Sequence, residues 1–163
     1  LPCELREHVG DWVFGCDVCQ EVCPWNSKAP VSRQTEFAPR AENNPIDLIA
    51  LFELDEAAFR ARFRHTPLWR PRRRGLLRNA AIALGNRPTA LAVPSLIRGL
   101  NDDEPLVRGA CAWALGHHGA AGVRSALHAR QTIEQDQAVQ MEIELALAAM
   151  VDAEPRSRTE STP

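Results

Sequence analysis

Three of the five cysteines in this chain are crowded into eight residues near its start. They form the pattern Cys16-x2-Cys19-x3-Cys23, and Pro24 follows directly. Thiolates on such short loops can converge on one metal ion or one compact cluster, whereas an odd number of cysteines makes a poor disulfide framework. The spacing therefore predicts a metal or cluster site in a reducing compartment, with the cytoplasm as the default location.

The spacing fits the last three positions of the ferredoxin pattern C-x2-C-x2-C-x3-C-P. The first position would fall on Val13, so the pattern lacks one ligand. A cubane cluster needs four thiolates, and the fourth Cys of this pattern ligates the other cluster in two-cluster proteins. Trp12, Val13, Phe14 and Trp25 are apolar neighbours that would shield a cluster from water.

Three interpretations of the cysteines stay open on spacing alone: a 4Fe–4S ligand set, a zinc site, or thiols that bind nothing. The C-x2-C pair also suits zinc, although a second such pair or a pair of His is missing. Cys111 lies on the apolar face of a predicted helix, which indicates a buried structural thiol. Cys3 is ambiguous, and we interpret it as a bystander.

Beyond the cysteines, the sequence repeats with a period of about 31 residues. Residues 76–85 match residues 107–116, and a weaker third copy begins at Val139. Partner helices are predicted over residues 92–100 and 123–130. Two helices per repeat, small residues at close-packing positions and a Gly that ends the first helix predict a HEAT-like solenoid. The predicted core includes Ile82, Leu84, Trp113, Leu115 and Leu145.

Eight arginines and no acidic residue lie between Arg60 and Arg78, in a chain whose formal net charge is only -2. A local concentration of Arg suggests a phosphate surface, and Trp69 adds a possible stacking plane. The alternative is a solvated connector whose arginines pair with acidic residues just upstream. Arg78 and Asn79 have a second alternative, which is to cap or bridge within the first repeat helix. The upstream acidic residues are Glu53, Asp55 and Glu56.

The ends of the chain also bear on its nature. No apolar stretch approaches the roughly 20 residues of a membrane span, and the start has no signal-peptide core. The chain has no initiator Met and opens inside a helix-like pattern. We therefore expect an internal start within a longer protein.

Residues 13–26, VFGCDVCQEVCPWN, closely resemble the epoxyqueuosine reductases. Three later strings, TPLWR at 66–70, RGLLRN at 74–79 and IALGN at 82–86, also resemble that family. The resemblance runs from about residue 1 to residue 130. The cysteine string followed by the later strings is specific in combination, whereas either alone would be moderate support.

The resemblance implies an enzyme that reduces epoxyqueuosine in tRNA to queuosine with cobalamin and two 4Fe–4S clusters. The catalytic acid, most of the cobalamin pocket and the first ferredoxin motif would lie in an N-terminal domain that this chain lacks. By the family pattern, Cys16 and Cys19 share one cluster with an upstream Cys and with the last Cys of the missing motif. Cys23 completes the other cluster. The missing ligand lies upstream of Cys3, in agreement with the bystander interpretation.

The resemblance also implies contacts with cobalamin and with tRNA. The loop from Cys16 to Cys19 would approach the corrin, with Asp17 and Val18 as candidate contacts. It also implies tRNA as partner. We further expect no membrane association, a monomer, and no activity of the fragment alone. The proposed tRNA-binding residues are Arg70, Arg72, Arg73, Arg74 and Arg78.

The predicted fold is mostly α: a partial ferredoxin-like iron–sulfur segment followed by a HEAT-like helical-repeat domain. Two rival functions remain, another cobalamin iron–sulfur reductase and a non-catalytic HEAT-like binding module. The predicted parts are residues 1–27 for the iron–sulfur segment, 28–75 for a connector with short helices and the Arg strip, 76–151 for the repeats and 152–163 for a disordered tail.

Overall fold

The computed structural model describes residues 1–30, 32–35, 38 and 40–152 of the chain. Within these residues the regular structure is entirely helical, so the predicted mostly α fold is confirmed. No helix among them is long and apolar enough to cross a membrane. The α-helices are α1 (Cys3–Arg6), α2 (Val18–Glu21), α3 (Glu56–Phe63), α4 (Arg72–Asn86), α5 (Val93–Gly99), α6 (Pro105–Gly116), α7 (Val123–Gln131) and α8 (Gln137–Asp152).

Short 3-10 helices connect these elements. One of them follows the capping carboxylate of Asp47, which accepts hydrogen bonds from the N–H groups of Ile49 and Ala50. The apolar run from Ile46 to Phe52, whose composition indicates a short helix, forms a turn that continues into the 3-10 helix Ala50–Glu53. Most of the tail predicted at 152–163 lies outside the described residues. The 3-10 helices are Glu7–Val9, Asn26–Lys28, Ala41–Asn43, Ala50–Glu53, Pro67–Trp69 and Ala90–Ala92.

The repeat predicted from the sequence is present as two layers of helices. Helices α4, α6 and α8 pack side by side in the first layer, and α5 and α7 form the second. Equivalent positions are buried in each copy: Ala80, Cys111 and Ile143 are all fully buried. Equivalent positions have the same environment in each copy, so similar residues recur there, and this recurrence produces the repeat in the sequence.

The repeated glycines allow the first-layer helices to approach closely. A Cβ on Gly85 would lie 2.6 Å from Cζ3 of Trp113 and 2.9 Å from Cα of Ala114. A Cβ on Gly116 would lie 3.0 Å from Cα of Ala146. Both glycines lie within helices, and α4 continues one residue beyond Gly85. The sequence interpretation of these glycines as helix-ending residues was therefore wrong for α4; their role is close packing.

The predicted core is right at three positions and needs correction at two. Ile82, Leu84 and Leu115 are buried, but Leu145 is 55% exposed. Leu145 lies two positions from buried Ile143, so it faces away from α6 at the end of the first layer. Trp113 is half-buried, and its ring covers Gly85 at the surface of that layer.

The connector contains a short helix, α3, that packs beside the first repeat. The carboxylate of Asp55 accepts the N–H of Ala58 at 2.7 Å and so caps the N-terminus of α3. Phe59 and Phe63 on α3 are buried in the same core as the repeat helices. The helix ends at Phe63, before Pro67, as the proline predicts.

Candidate functional site

The segment that contains the cysteines lies against the first-layer helix α4. The side-chain amide of Asn86 donates hydrogen bonds to the carbonyls of Arg6 at 2.8 Å and Gly10 at 2.7 Å. The amide of Asn79 donates to the carbonyl of Val13 at 2.7 Å. The segment therefore runs antiparallel to α4 as far as Val13, which opposes Asn79.

A second anchor joins the segment to the last repeat helix, α8. The guanidinium of Arg6 forms two hydrogen bonds to the carboxylate of Glu142, at 2.9 and 2.5 Å. It also lies 5.5 Å from the ring centroid of Trp113. The Cys3 thiol is 3.5 Å from Oε1 of Glu142, and burial together with the Glu142 charge raises its pKa. Cys3 is thus a protonated hydrogen-bond donor here, which fits a bystander.

The three motif cysteines are free thiols at the surface. Cys16 and Cys19 are exposed, and Cys23 is half-buried. Asp17 has a φ of 52°, in the left-handed region, and its carbonyl accepts the N–H groups of Gln20 and Glu21 at the start of α2. The turn therefore separates Cys16, before the helix, from Cys19, within it.

The side chains around these thiols are mostly apolar and open to solvent. Val13 packs on the repeat core, but Trp12, Phe14 and Trp25 are 40%, 37% and 88% exposed. Within the described part of the chain these side chains therefore do not enclose the thiols, and their role in shielding a cluster stays a prediction. An exposed apolar group of this kind is typical of a surface that another structural unit covers.

The thiols fit an iron–sulfur cluster only as incomplete ligand sets. In the described ranges, no three His, Cys, Asp or Glu side chains lie close enough together to hold a metal ion. Reduced, exposed thiols on a short loop are nevertheless the donors that such clusters and zinc require. Cys111 is different: it is fully buried on α6, and burial raises its pKa, as expected of a structural thiol.

The arginines of the predicted phosphate surface differ in their surroundings. Arg70, Arg72 and Arg74 are exposed, whereas Arg73 is largely buried. The Arg73 guanidinium binds both carboxylate oxygens of Asp102, at 3.1 and 2.6 Å, and donates from Nε to the carbonyl of Leu54. The hydrogen bonds to Asp102 raise the pKa of Arg73. Arg73 therefore ties α4 to the loop before α6.

An aromatic stack arranges two of the exposed arginines. The Trp69 ring lies 5.8 Å from the Phe59 ring and nearly parallel to it. The guanidinium of Arg72 is 4.4 Å from the Trp69 centroid, and that of Arg60 is 5.9 Å away. Cation–π contacts of this kind hold positive groups in place at the surface without neutralising them.

The acidic partners expected for a solvated connector are engaged in other ways. Glu53 pairs with Arg98, and Asp55 caps α3. Of these three upstream carboxylates, only Glu56 has a described ion pair with the strip, a 4.0 Å contact to Arg60 between exposed groups. Arg74 approaches Glu104 at 3.8 Å, also at the surface. Exposed pairs this long contribute little, so Arg60 and Arg74 stay available to another anion.

Several positioning residues could not be identified from the sequence. Asp102, Asn86 and Glu142 make the contacts that fix the strip and the cysteine segment. Arg78 donates from Nε to Oδ1 of Asn79, so the bridging alternative for this pair is observed. The sequence signal available was the spacing of Asn79 and Asn86, which places them on one helical face, but nothing in it names their backbone partners.

Comparison with known proteins agrees with this architecture. A family model described as HEAT repeats matches residues 73–148. The chain is 38% identical over 120 residues to an epoxyqueuosine reductase of Xanthomonas campestris pv. campestris, which covers 73% of this chain and 34% of that protein. An epoxyqueuosine reductase of Pseudomonas aeruginosa is 40% identical over 120 residues, with 73% and 33% covered. This chain therefore spans about a third of the length of those relatives.

The solved structures that match include the cysteine segment as well as the repeats. A crystal structure of epoxyqueuosine reductase with an epoxyqueuosine-modified tRNA-Tyr stem loop superposes with a TM-score of 0.83 and 31% identity. That match covers 93% of this chain and 40% of the solved one. By sequence and by fold, over the part that it spans, the chain belongs to the epoxyqueuosine reductase family.

Proposed function

We propose that this chain is part of an enzyme that reduces epoxyqueuosine to queuosine in tRNA. The main support is the similarity to epoxyqueuosine reductases, which extends through the cysteine segment and the repeats. The activity belongs to the whole protein, because the catalytic acid and most of the cobalamin pocket are expected outside this chain. The enzyme would act as a monomer in a reducing, cytoplasmic environment, which keeps thiolate ligands reduced.

In this proposal the cysteine segment contributes ligands to two 4Fe–4S clusters. Cys16 and Cys19 would bind one cluster, and Cys23 would bind the other. When bound, the clusters supply single electrons and cobalamin supplies the cobalt centre at which the epoxide is reduced. The exposed turn at Asp17 and Val18 would contact the corrin. Its apolar neighbours, Trp12 among them, would be covered by the rest of the enzyme and would exclude water from the clusters.

The second part of the proposal is a tRNA-binding surface at the start of α4. Arg70, Arg72, Arg74 and Arg78 would contact phosphates, because each guanidinium can donate two hydrogen bonds to one phosphate group. Arg73 would serve indirectly: its ion pair with Asp102 holds the first turn of α4 in place. Trp69 would keep Arg72 extended toward the ligand.

The experiment that tests this surface is the salt dependence of binding to an epoxyqueuosine-modified tRNA stem loop. Replacing Arg72 and Arg74 by Ala should weaken binding by roughly tenfold or more if both contact phosphates. The slope of log affinity against log salt should become less steep by up to about 1.8 on a duplex stem, about 0.9 per contact. The control is Arg98→Ala, which removes an exposed arginine on the second layer.

The two rival functions predict different results. A cobalamin iron–sulfur reductase with another substrate would bind iron, but its affinity for the stem loop would not depend on Arg72 and Arg74. A non-catalytic HEAT-like module would bind no iron at the cysteines, and zinc there would favour that alternative. Unchanged affinity in the double variant would place tRNA contacts elsewhere in the enzyme.

A further inference from the structure

Two asparagines on α4 hold the cysteine segment by its main chain. Asn79 and Asn86 are seven residues apart, which places them on one face of the helix about 10 Å apart along its axis. Together they bind three carbonyls, those of Arg6, Gly10 and Val13. Because these acceptors belong to the backbone, the bonds fix the path of the segment whatever its side chains are.

The side-chain amide of Asn79 is used on both of its ends. Its oxygen accepts a hydrogen bond from Nε of Arg78 at 2.8 Å, while its nitrogen donates to the Val13 carbonyl at 2.7 Å. If the amide were flipped, its oxygen would face the Val13 carbonyl oxygen and its nitrogen would face Nε of Arg78. Two acceptors or two donors cannot bond to each other, so the hydrogen-bond partners fix this orientation. A carboxylate of the same shape could bind Arg78 but could not donate to Val13.

We infer that Asn79 is a positioning residue for the Cys16 thiol, with Asn86 as a second anchor. Cys16 follows Val13 by three residues, so its Cα lies within about 11 Å of the anchored position. Beyond Val13, the hydrogen bonds described for residues 14–28 stay within that segment and its next residue, Ala29. Asn79 is therefore the last described hydrogen-bonded anchor from the repeats before the motif.

The same amide links the cysteine loop to the proposed tRNA surface. Arg78 uses Nε for Asn79, which leaves both of its terminal nitrogens to face a phosphate. Binding of an anion at Arg78 and the position of Val13 thus depend on one shared side chain. This inference rests on the proposed function, since it takes Cys16 as a cluster ligand and Arg78 as a tRNA contact.

The test compares Asn79→Asp with Asn101→Asp in the iron-loaded, full-length protein. Asn101 is the control because its amide reaches only the carbonyl of Ile97, within its own helical region. In Asn79→Asp, backbone amides of residues 10–16 should exchange with deuterium about two- to tenfold faster, the factor expected for one lost hydrogen bond. Asn86→Ala should raise exchange at residues 6–10, and helix content and melting behaviour should show that each variant folds.

The second readout is release of iron to a chelator. In Asn79→Asp, roughly half of the iron, one cluster of two, should leave at least twofold faster, and the electron paramagnetic resonance signal of that cluster should change. Faster exchange with unchanged iron release would give Asn79 a structural role only and would overturn the inference, as would unchanged exchange. If the wild-type protein bound no iron, the proposed function would fail before any variant was compared.

Discussion

Arg108 and Glu134 form a buried ion pair that joins α6 to the loop before α8. The Arg108 Nε and Nη2 atoms each donate to a Glu134 oxygen at 2.8 Å, and both side chains are almost fully buried. Arg108 also binds the carbonyls of Asp102 and Asp103, and Arg130 donates to the same carboxylate. The cluster thereby connects the loops of successive repeats on one side of the solenoid.

The first prediction concerns the acid sensitivity that this pair creates. The hydrogen bond from Arg108 lowers the pKa of Glu134 from 4.5 to about 2. A carboxyl with a depressed folded-state pKa stabilises the fold above its unfolded pKa, and that contribution is lost as pH falls from about 4.5 toward 2. At neutral pH it amounts to roughly 3 kcal/mol.

Glu134→Gln should therefore lower the free energy of unfolding at pH 7 by about 3–5 kcal/mol, because Arg108 stays buried without a counter-charge. It should also flatten the loss of stability between pH 5 and pH 2. Urea denaturation across that range measures both effects. Glu144→Gln, at an exposed position of α8, is the control, and equal effects of the two variants would contradict the prediction.

The second prediction concerns the close packing of α4 and α6. Gly85→Ala should lower the free energy of unfolding by about 1–3 kcal/mol, because the new methyl group meets Trp113 and the backbone of Ala114. Gly119→Ala is the matched control, since nothing lies within 4 Å of its added Cβ. The control should be neutral or slightly stabilising. Urea midpoints compare the two variants.

The third prediction concerns the face of α8 that is buried. Ile143→Ala should cost about 2–5 kcal/mol, as a large-to-small change in a packed core does. Leu145→Ala should change stability by no more than about 0.5 kcal/mol, because the side chain is mostly in solvent. A larger loss of stability in Leu145→Ala would indicate that Leu145 is buried in the core, as the sequence alone predicted.

The repeats could be predicted from the sequence because the same kinds of buried side chain recur at a fixed spacing in each copy. Ala80 and Cys111 occupy equivalent buried positions in successive repeats, and Asp55 caps α3 through an N–H only three residues away. Leu145 shows the limit of that reasoning, since an apolar residue on a terminal helix need not face the core. The local sequence pattern around Leu145 does not indicate that α8 is the last helix in the described residues.

The candidate site was predictable in its residue types but not in its partners. The cysteine spacing and the Arg strip are local features, so both could be named from the sequence. The pairing of Arg73 with Asp102 joins positions far apart in the chain, and only the fold decides it. The same holds for Arg6 and Glu142, which lie near opposite ends of the described residues.

The fourth prediction separates two neighbouring arginines of the strip. Arg73→Ala should lower the free energy of unfolding by roughly 2–4 kcal/mol, since it leaves the nearly buried carboxylate of Asp102 without its partner. Arg72→Ala should leave stability within about 0.5 kcal/mol and should weaken tRNA binding. Thermal unfolding and stem-loop binding of both variants make the comparison. Equal destabilisation would contradict a purely surface role for Arg72.

The last prediction concerns the metal content that follows from the incomplete ligand set. The full-length protein should bind about eight iron atoms, from two 4Fe–4S clusters, whereas this chain alone should not retain a stable cubane. Cys16→Ala or Cys19→Ala should remove one cluster, about four iron atoms, and Cys23→Ala should damage the other. Iron and acid-labile sulfide are measured on protein reconstituted without oxygen.

Cys111→Ala is the internal control for that measurement. Its thiol is fully buried among the repeat helices, so the variant should lose some packing but keep the full iron content. Cys3→Ala should likewise keep its iron, because the thiol is a hydrogen-bond donor to Glu142. Loss of iron in Cys111→Ala together with full retention in Cys23→Ala would reverse the ligand assignment. Zinc in place of iron at all three motif positions would instead favour the non-catalytic HEAT-like module.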